Sequence, residues 1–280
     1  MTDNLHTFVN LPTFGLLRLS GSDAEAFAQS QFANDVLALE PGQWQWNCWL
    51  TAKGRVRTVF ALLRPQAGEL VMVLPEGQAQ DIGTELQRYV FRRKVTLALD
   101  TAPVSGALTA PRLASGNRLA LLDDGVIELD MGGPSLPRTL RLGGEPAVDS
   151  AAGSDAWREA DLRLGLPRLP TGSEPQWTPQ QLGLDRLPAV SVRKGCYPGQ
   201  EIVARTHFLG KAKRTCTLLQ LSCPAQPGTA VTAEGVEIGQ LASTAGHLAL
   251  AVLPLDLPVA PLEVNGQPAV LRDLDPGLAR

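Results

Sequence analysis

Histidine and cysteine are scarce in this 280-residue chain, and neither set has the spacing of a metal site. The histidines lack H-x-x-x-H and H-E-x-x-H spacing, and the cysteines form neither C-x-x-C pairs nor ferredoxin patterns. We therefore expect no metal site, no disulfides, and no stable iron–sulfur cluster held by this chain alone. The residues concerned are His6, His207, His247, Cys48, Cys196, Cys216 and Cys223.

Long apolar runs and the commonest nucleotide-binding motifs are also missing, and the first residues do not resemble a secretory leader. The apolar runs are short and interrupted by charge, which predicts that no segment spans a membrane. The first ten residues carry Asp3 and no basic residue, so we expect a cytoplasmic protein with reduced thiols. No G-x-G-x-x-G, G-x-x-x-x-G-K-[ST] or G-x-S-x-G occurs, which excludes the usual dinucleotide, nucleoside triphosphate and esterase sites.

The formal net charge of -3 gives no general affinity for nucleic acid, but the charges are unevenly distributed. Three basic clusters contain almost no acid apart from Glu201. If the fold brings them together, they form an electropositive cleft for a small polyanion such as a polyglutamylated cofactor. Otherwise they are solvated faces. The clusters are Arg193, Lys194, Arg205, Lys211, Lys213 and Arg214; Lys53, Arg55 and Arg57; and Arg88, Arg92, Arg93 and Lys94.

The length favours two or three domains, and the first hundred residues show an alternating pattern of strands and helices. A capping box of Ser22 and Glu25 predicts a helix that begins near Asp23. The resulting order, β-α-β-β-β-α-β, is typical of an antiparallel-rich α+β layout with helices on one face. The predicted strands are 14–19, 44–50, 56–63, 69–74 and 95–99, and the second helix is 81–93.

The middle of the chain is less regular. Residues 103–148 predict short strands with a hairpin at the Asp-Gly pair 124–125, and a helix follows at about 155–164. Residues 165–188 are rich in proline and glycine without periodicity, which predicts an ordered loop on the surface.

The C-terminal region predicts a small β-barrel or sandwich, because short strands alternate with turns at 234–235 and at the Asn-Gly pair 265–266. We therefore predict domains at 1–100, 101–214 and 215–280.

The most distinctive segment is K-G-C-Y-P-G-Q-E at residues 194–201. Gly195 and Gly199 permit positive φ and close approach of another group, while Pro198 stiffens the turn. If Lys194 points into the same space as Cys196, it lowers the pKa of the thiol and makes it reactive. A single cysteine is otherwise more often a small buried hydrophobic residue.

With the following residues, the pattern K-G-C-Y-x-G-Q-E-x-V-A-R and a trailing G-x-x-x-R resemble the signature of the folate-binding YgfZ family. Three further stretches extend this resemblance over nearly the whole chain. They are S-D-A-E-A-F-A-Q-S-Q-F-A-N-D-V at 22–36, L-T-A-K-G-R at 50–55 and Y-V-F-R-R-K-V at 89–95.

The resemblance implies an α+β, three-domain fold similar to the glycine cleavage system T protein, with a central folate cleft and a C-terminal β-barrel. It implies tetrahydrofolate or a derivative as cofactor. It also implies a role in assembly or repair of iron–sulfur clusters, with effects on iron–sulfur tRNA-modifying enzymes. The implied partners are folate and iron–sulfur client or assembly proteins.

The resemblance also indicates site residues. Cys196 is the expected functional thiol, with Lys194 beside it as a second catalytic residue. Phe14 and Trp157 fall at two aromatic positions that line the folate site, although either ring can instead belong to the core. Phe14 stands where family members can have tryptophan, which predicts weaker stacking. The motif residues expected at the cofactor are Gly195, Tyr197, Gly199, Gln200, Glu201 and Arg205.

Two other functions are compatible with the sequence. The first is a folate-dependent aminomethyl or one-carbon transferase. The T protein has a carboxylate after its early glycine pair. Residues 53–58 here contain no carboxylate, and Arg57 and Thr58 stand at that position. A reacting amine would therefore lack a carboxylate that accepts its proton. The second is a module whose basic cleft binds tRNA or a partner enzyme. We do not expect tRNA binding. Trp44 and Trp46 share one strand face and Trp49 lies on the other, which favours a place in the core and the cleft lining over a stacking platform for nucleic acid.

Overall fold

The computed structural model describes residues 7–169, 172, 174–210 and 212–280. Within these residues the chain forms two antiparallel sheets, a closed β-barrel and four α-helices. None of these helices is long and apolar enough to cross a membrane. The helices are α1 (Ala24–Gln31), α2 (Ala79–Gln87), α3 (Ala151–Arg163) and α4 (Gln200–Phe208).

The first sheet follows a short strand, β1 (Val9–Asn10), and packs against α1 and α2 on one face. Its strands are β2 (Gly15–Ser20), β3 (Gln43–Leu50), β4 (Val56–Gln66), β5 (Glu69–Leu74) and β6 (Thr96–Asp100). Their order in the sheet is β3-β4-β5-β2-β6. Trp49 packs with α1 and α2 on one face, while Trp44 and Trp46 are buried on the other, as the alternation of a strand predicts.

The predicted order of elements is confirmed from β2 to β6, but two details at the helices are wrong. Helix α2 ends at Gln87 rather than at 93, because the aromatic and β-branched residues after it favour helix weakly and Arg92 turns the backbone to a φ of +53°. The capping box does not form. Ser22 instead contacts the Asp23 carboxylate, and Glu25 accepts hydrogen bonds from Arg64 and the Gly68 backbone at 2.8 Å.

The second sheet contains the middle of the chain together with β1. Its other strands are β7 (Val104–Ala107), β8 (Ala120–Leu121), β9 (Ile127–Asp130) and β10 (Thr139–Leu142), in the order β1-β7-β10-β9-β8. The predicted hairpin at 124–125 joins β8 to β9, with Gly125 at a φ of +81°. Helix α3 begins earlier than predicted because the Ser150 hydroxyl accepts a hydrogen bond from the Gly153 backbone at 3.1 Å.

The C-terminal residues form a closed barrel in the order β11-β14-β13-β12-β15-β16, where the strands are β11 (Arg214–Leu221), β12 (Ala230–Ala233), β13 (Val236–Ala245), β14 (Leu248–Pro254), β15 (Leu262–Val264) and β16 (Gln267–Arg272). Both predicted turns occur. Asn265 and Gly266 have φ values of +53° and +70°, as a type I′ hairpin requires. The barrel prediction is confirmed and the sandwich alternative is wrong.

One continuous core joins the two sheets, the barrel and the motif segment. It includes Trp46 from β3, Leu140 from β10, Val252 from β14 and Tyr197 from the motif. The prediction of a surface loop at 165–188 is wrong in one respect, because the leucines of this segment are buried in the core. Their burial is favourable because it removes apolar side chains from water. These are Leu166, Leu169, Leu182, Leu184 and Leu187. The division into domains 1–100, 101–214 and 215–280 stays a prediction.

Candidate functional site

The K-G-C-Y-P-G-Q-E segment forms a tight loop that leads into α4. Gly199 precedes the helix with a left-handed φ of +80°. A Cβ atom at Gly199 would lie 2.6 Å from the Thr51 carbonyl oxygen and 2.7 Å from the Gly54 Cα. Only glycine allows this contact, so the loop at 51–55 and the motif fix each other's position. The two glycines of the motif differ, however: a Cβ at Gly195 would meet nothing within 4 Å.

Lys194 anchors the beginning of the motif. Its side chain is buried, and Nζ donates to the backbone carbonyls of Gln29, Phe32 and Asn34 at 2.5, 2.5 and 3.2 Å. These carbonyls lie in and just after the last turn of α1, where backbone acceptors have no helical partner and a cation is favourable. Burial lowers the pKa of Lys194 to about 8, and the nearby Asp35 carboxylate opposes this shift.

The predicted activation of Cys196 by Lys194 is therefore not supported by this geometry. An ammonium group has three N–H donors, and the three carbonyls of the α1 terminus use all of them. The sequence could not reveal this arrangement, because the acceptors belong to the backbone 160 or more residues away. Lys194 is a positioning residue for the motif.

Tyr197 anchors the other side of the cysteine. Its ring is buried in the central core, its hydroxyl donates to the Ser191 carbonyl at 3.1 Å, and the Lys194 ammonium lies 4.8 Å from the ring centroid. Cys196, between these two anchors, is exposed to solvent. The motif therefore presents a thiol at the surface from a loop whose neighbouring side chains are fixed in the core.

The remaining motif residues lie at the beginning of α4. Gln200 donates to the Lys194 carbonyl at 3.4 Å, which closes the loop. Glu201 and Arg205 form an i,i+4 ion pair at 2.9 Å, with 82% and 63% of their side chains exposed. Arg205 points outward, as predicted. An exposed pair of this kind contributes little to stability, so both side chains are free to exchange partners.

The four cysteines fall into two classes. Cys48 is buried and Cys216 is half-buried, and burial raises the pKa of both thiols, that of Cys216 to about 12. Cys196 and Cys223 are exposed. Only exposed thiols are accessible to a partner, so Cys223, in the barrel domain, is the natural comparison for Cys196.

The two predicted folate-lining rings are connected by an arginine–aspartate cluster, which we define as Arg138, Asp161 and Arg168. Arg168 lies 5.0 Å from the Phe14 ring centroid, and Arg138 lies 4.6 Å from that of Trp157. Both guanidinium groups bind the buried Asp161 carboxylate, at 2.5 Å from Arg138 and 2.6 Å from Arg168.

The same cluster links all three parts of the fold. Arg168 also donates to the Pro75 carbonyl at 3.2 Å and, through its backbone, to the Ser243 hydroxyl of β13 at 3.0 Å. Within the described part of the chain, three buried nitrogens here have no hydrogen-bond partner: Nη2 of Arg138, Nη2 of Arg168 and Nε1 of Trp157. Buried donors normally have partners, so these are free to meet the acceptors of a ligand.

Trp157 is almost completely buried, which leaves little of its ring accessible for stacking on a ligand. It is 1% exposed, and a Cβ at Gly106 would lie 2.6 Å from its six-membered ring. Part of the ring lines a cavity of ≈ 310 Å³ beside the N-terminus of α3, together with Val9 and Ala156. Phe14 is half-buried. The sequence did not reveal Arg138, Asp161 and Arg168, because a charged residue outside a motif has no signal for burial.

The basic clusters are only partly combined. Arg55 and Arg214 line one cavity of ≈ 370 Å³ with Trp177 and Gln181, and Arg55 donates to Gln181 at 3.2 Å. Arg57 instead forms an ion pair with Glu85 of α2. Lys211 and His6 lie outside the described residues. Within the residues described, no group of three or more histidine, cysteine, aspartate or glutamate side chains is arranged to hold a metal ion.

Comparison with solved structures defines the fold. The chain superimposes on the glycine cleavage system aminomethyltransferase T from Bartonella henselae with a TM-score of 0.75 and 15% identity, over 97% of this chain and 86% of that protein. The predicted likeness to the T-protein fold, with a closed C-terminal barrel, is therefore confirmed.

Comparison with sequences is more specific. Residues 213–275 match the model of the CAF17 C-terminal beta-barrel domain. Two proteins named tRNA-modifying protein YgfZ are 27% identical to the chain: that of Colwellia psychrerythraea over 240 residues and that of Vibrio vulnificus over 257. These matches cover 78% and 80% of this chain and 73% of each relative. An uncharacterized Haemophilus influenzae protein is 25% identical over 215 residues, covering 76% of this chain and 73% of that protein. The predicted resemblance to the YgfZ family is confirmed.

Proposed function

We propose that this protein is a folate-binding accessory factor for the assembly or repair of iron–sulfur clusters, with Cys196 as its functional thiol. The observation that carries the proposal is the exposed Cys196 between two buried anchors, Lys194 and Tyr197. A thiol that only filled space would be inside, as Cys48 is. The names of the YgfZ relatives support clients among tRNA-modifying enzymes, and we expect the protein to act in the cytoplasm.

The chemistry of the arginine–aspartate cluster supports a reduced folate as cofactor. A folate offers a flat aromatic ring system with carbonyl and nitrogen acceptors and a carboxylate tail. Phe14 and the part of Trp157 that lines the cavity beside α3 supply aromatic surface, and the unpartnered N–H groups of Arg138, Arg168 and Trp157 supply donors within the described residues. These residues fit such a ligand, because buried donors and aromatic walls are the features that orient small planar molecules in pockets.

A reduced folate, when bound, supplies a carrier for one-carbon groups. The chain's own contribution is to hold it and to exclude water. Asp161 orients both guanidinium groups and balances their charge, because a buried cation is stable only beside an anion. Hydrogen bonds from Arg168 to Ser243 and to the Pro75 carbonyl fix this cluster relative to the barrel and the first sheet.

The folate part is tested by calorimetric titration with tetrahydrofolate. Trp157→Phe keeps a ring in the core but removes the indole N–H, and we expect about five-fold weaker binding from loss of part of the aromatic contact. Trp177→Phe, in the other cavity, is the matched control and should bind as the wild type does. Normal binding by Trp157→Phe and weak binding by Trp177→Phe would move the folate site to the cavity of Arg55 and Arg214.

The thiol part is tested in a strain that lacks its own relative of this protein. Cys196→Ala should fail to restore growth on iron–sulfur-dependent metabolism while it binds tetrahydrofolate normally. Cys223→Ala, the other exposed cysteine, should restore growth. Full complementation by Cys196→Ala would remove the thiol from the proposal and leave the folate part untouched.

A further inference from the structure

The segment at residues 88–94, which follows α2, forms a surface of exposed aromatic rings and cations. Phe91 is 73% exposed and Tyr89 48%, which is unusual for large rings in a chain that buries four of its five tryptophans. Arg92 turns the backbone to a left-handed φ of +53°, a conformation that residues other than glycine rarely adopt. This aromatic–basic segment comprises Arg88, Tyr89, Val90, Phe91, Arg92, Arg93 and Lys94.

The two rings of this segment each contact a neighbouring side chain. The Tyr89 ring packs edge-on against the buried Trp49, with centroids 6.1 Å apart, and Arg57 lies 4.9 Å from the Trp49 centroid. The Arg92 guanidinium lies 5.0 Å from the Phe91 centroid. A row of contacts therefore runs from Arg57 through Trp49 to Tyr89, and the exposed Phe91 ring beside it contacts Arg92.

The charge of the segment is almost entirely positive. It contains four cations and no acid. Across the described ranges, none of the four forms an ion pair, and the neighbouring acids are occupied: Glu85 pairs with Arg57, and Asp23 accepts a hydrogen bond from the Lys94 backbone at 2.7 Å. Four unpaired cations on one surface of an acidic protein raise the local positive potential, which attracts an anionic partner.

We infer that the aromatic–basic segment binds single-stranded nucleic acid. Phosphate groups pair with the cations, and unstacked bases stack on Phe91 and Tyr89, which is the combination found in proteins that bind single strands. A duplex offers no free base faces to the rings. An acidic peptide would satisfy the cations but would leave the rings in water, so it accounts for only half of the surface.

This inference does not rest on the proposed function, since the segment contains no residue of the motif or of the arginine–aspartate cluster. The test uses the full chain and a fluorescein-labelled oligouridylate of about twelve nucleotides, a typical site size for such surfaces. Binding is followed by fluorescence anisotropy at several salt concentrations, with an unlabelled DNA strand of the same length, a duplex and polyglutamate as competitors.

Phe91→Ala should weaken binding about tenfold, which corresponds to the loss of one stacked base. The double variant Arg92→Gln and Arg93→Gln should reduce the slope of log affinity against log salt by about 0.7 for each phosphate contact removed. The controls are Leu113→Ala and Arg112→Gln, an exposed apolar residue and an exposed cation in the middle of the chain. Cys196→Ala should bind as the wild type does.

Saturable binding that Phe91→Ala weakens and the controls do not would support the inference. Three results would overturn it. The first is no saturable binding at low salt, and the second is an equal loss of affinity in the Phe91 and Leu113 variants. The third is that polyglutamate displaces the labelled strand as well as an unlabelled single strand does, when the two competitors are compared at equal total negative charge. The last result would identify the surface as a docking site for an acidic protein.

Discussion

Gly199 and Gly54 touch through their backbones, with the Gly54 Cα only 2.7 Å from where a methyl group on Gly199 would lie. This contact joins the motif at 194–201 to the loop at 51–55, two stretches that the sequence separates by about 140 residues. It explains why glycine is needed in both. Each has a positive φ, a side chain on Gly199 would meet the 51–55 loop, and one on Gly54 would meet Ile202 at the beginning of α4.

Replacement of Gly199 should therefore destabilise the protein, whereas replacement of Gly195 should not. Gly199→Ala introduces a strained left-handed alanine and a clash, for an expected loss of at least about 1–2 kcal/mol in the free energy of unfolding. Gly195→Ala has open space and no positive φ. Urea denaturation of both variants measures the difference, and equal stabilities would contradict the contact.

Replacement of Lys194 should lower the stability of the protein, because its side chain anchors the motif. Lys194→Met keeps the length and apolar stem of the side chain but leaves three carbonyls near the end of α1 without their donor. We expect a loss of about 1–3 kcal/mol in unfolding free energy. Arg193→Met, at the exposed neighbouring position, is the control. A Lys194→Met variant as stable as the wild type would show that the ammonium does not anchor the loop.

Asp161 should be among the most sensitive positions of the fold. Asp161→Asn leaves two buried guanidinium groups without their common anion, and breaking a buried ion pair on one side costs about 3–5 kcal/mol. Asp155→Asn, on the exposed face of the same helix, tests whether loss of any carboxylate from α3 is enough to lower the stability. Thermal unfolding of the two variants separates these effects, and similar midpoints would exclude a central role for the cluster.

Glu128 should supply part of the acid dependence of stability. Burial alone raises the pKa of this carboxyl group, but the backbone N–H groups of Leu113 and Ala114 and the Arg141 guanidinium outweigh it and hold the pKa below its usual value. Because the folded pKa is below that of the unfolded chain, the stabilisation is present above about pH 4.3 and is lost as the pH falls through the folded pKa.

Glu128→Gln should therefore flatten the loss of stability in acid. Urea denaturation from about pH 6 to pH 3 measures this dependence. Glu145→Gln, an exposed glutamate of the same region, should keep the wild-type dependence. An unchanged acid limb in Glu128→Gln would mean that other carboxylates carry the whole effect.

Local patterns predicted the strands and turns well, because burial on one face imposes a period on the sequence. The Asn-Gly pair at 265–266 and the split of Trp44 and Trp46 from Trp49 followed from backbone geometry alone. The end of α2 did not, since Tyr89 and Val90 continue the apolar spacing of a helix past Gln87, where the helix ends.

The site was predicted less completely than the fold. Its motif was visible, and so was the exposed position of Arg205, which follows from a four-residue repeat with Glu201. The role of Lys194 was not visible, because its acceptors are backbone atoms of a distant helix. The burial of Arg138 and Arg168 was also hidden, since charged residues are expected at the surface unless their partner is known.

The most direct test of the central claim is the level of a tRNA modification made by an iron–sulfur enzyme, measured in a strain that lacks its own relative of this protein. The strain carries either Cys196→Ala or Cys223→Ala, expressed to equal amounts. The account predicts that Cys223→Ala restores the modification and that Cys196→Ala leaves it at the level of the empty vector. Equal modification in the two strains would contradict a functional thiol at Cys196.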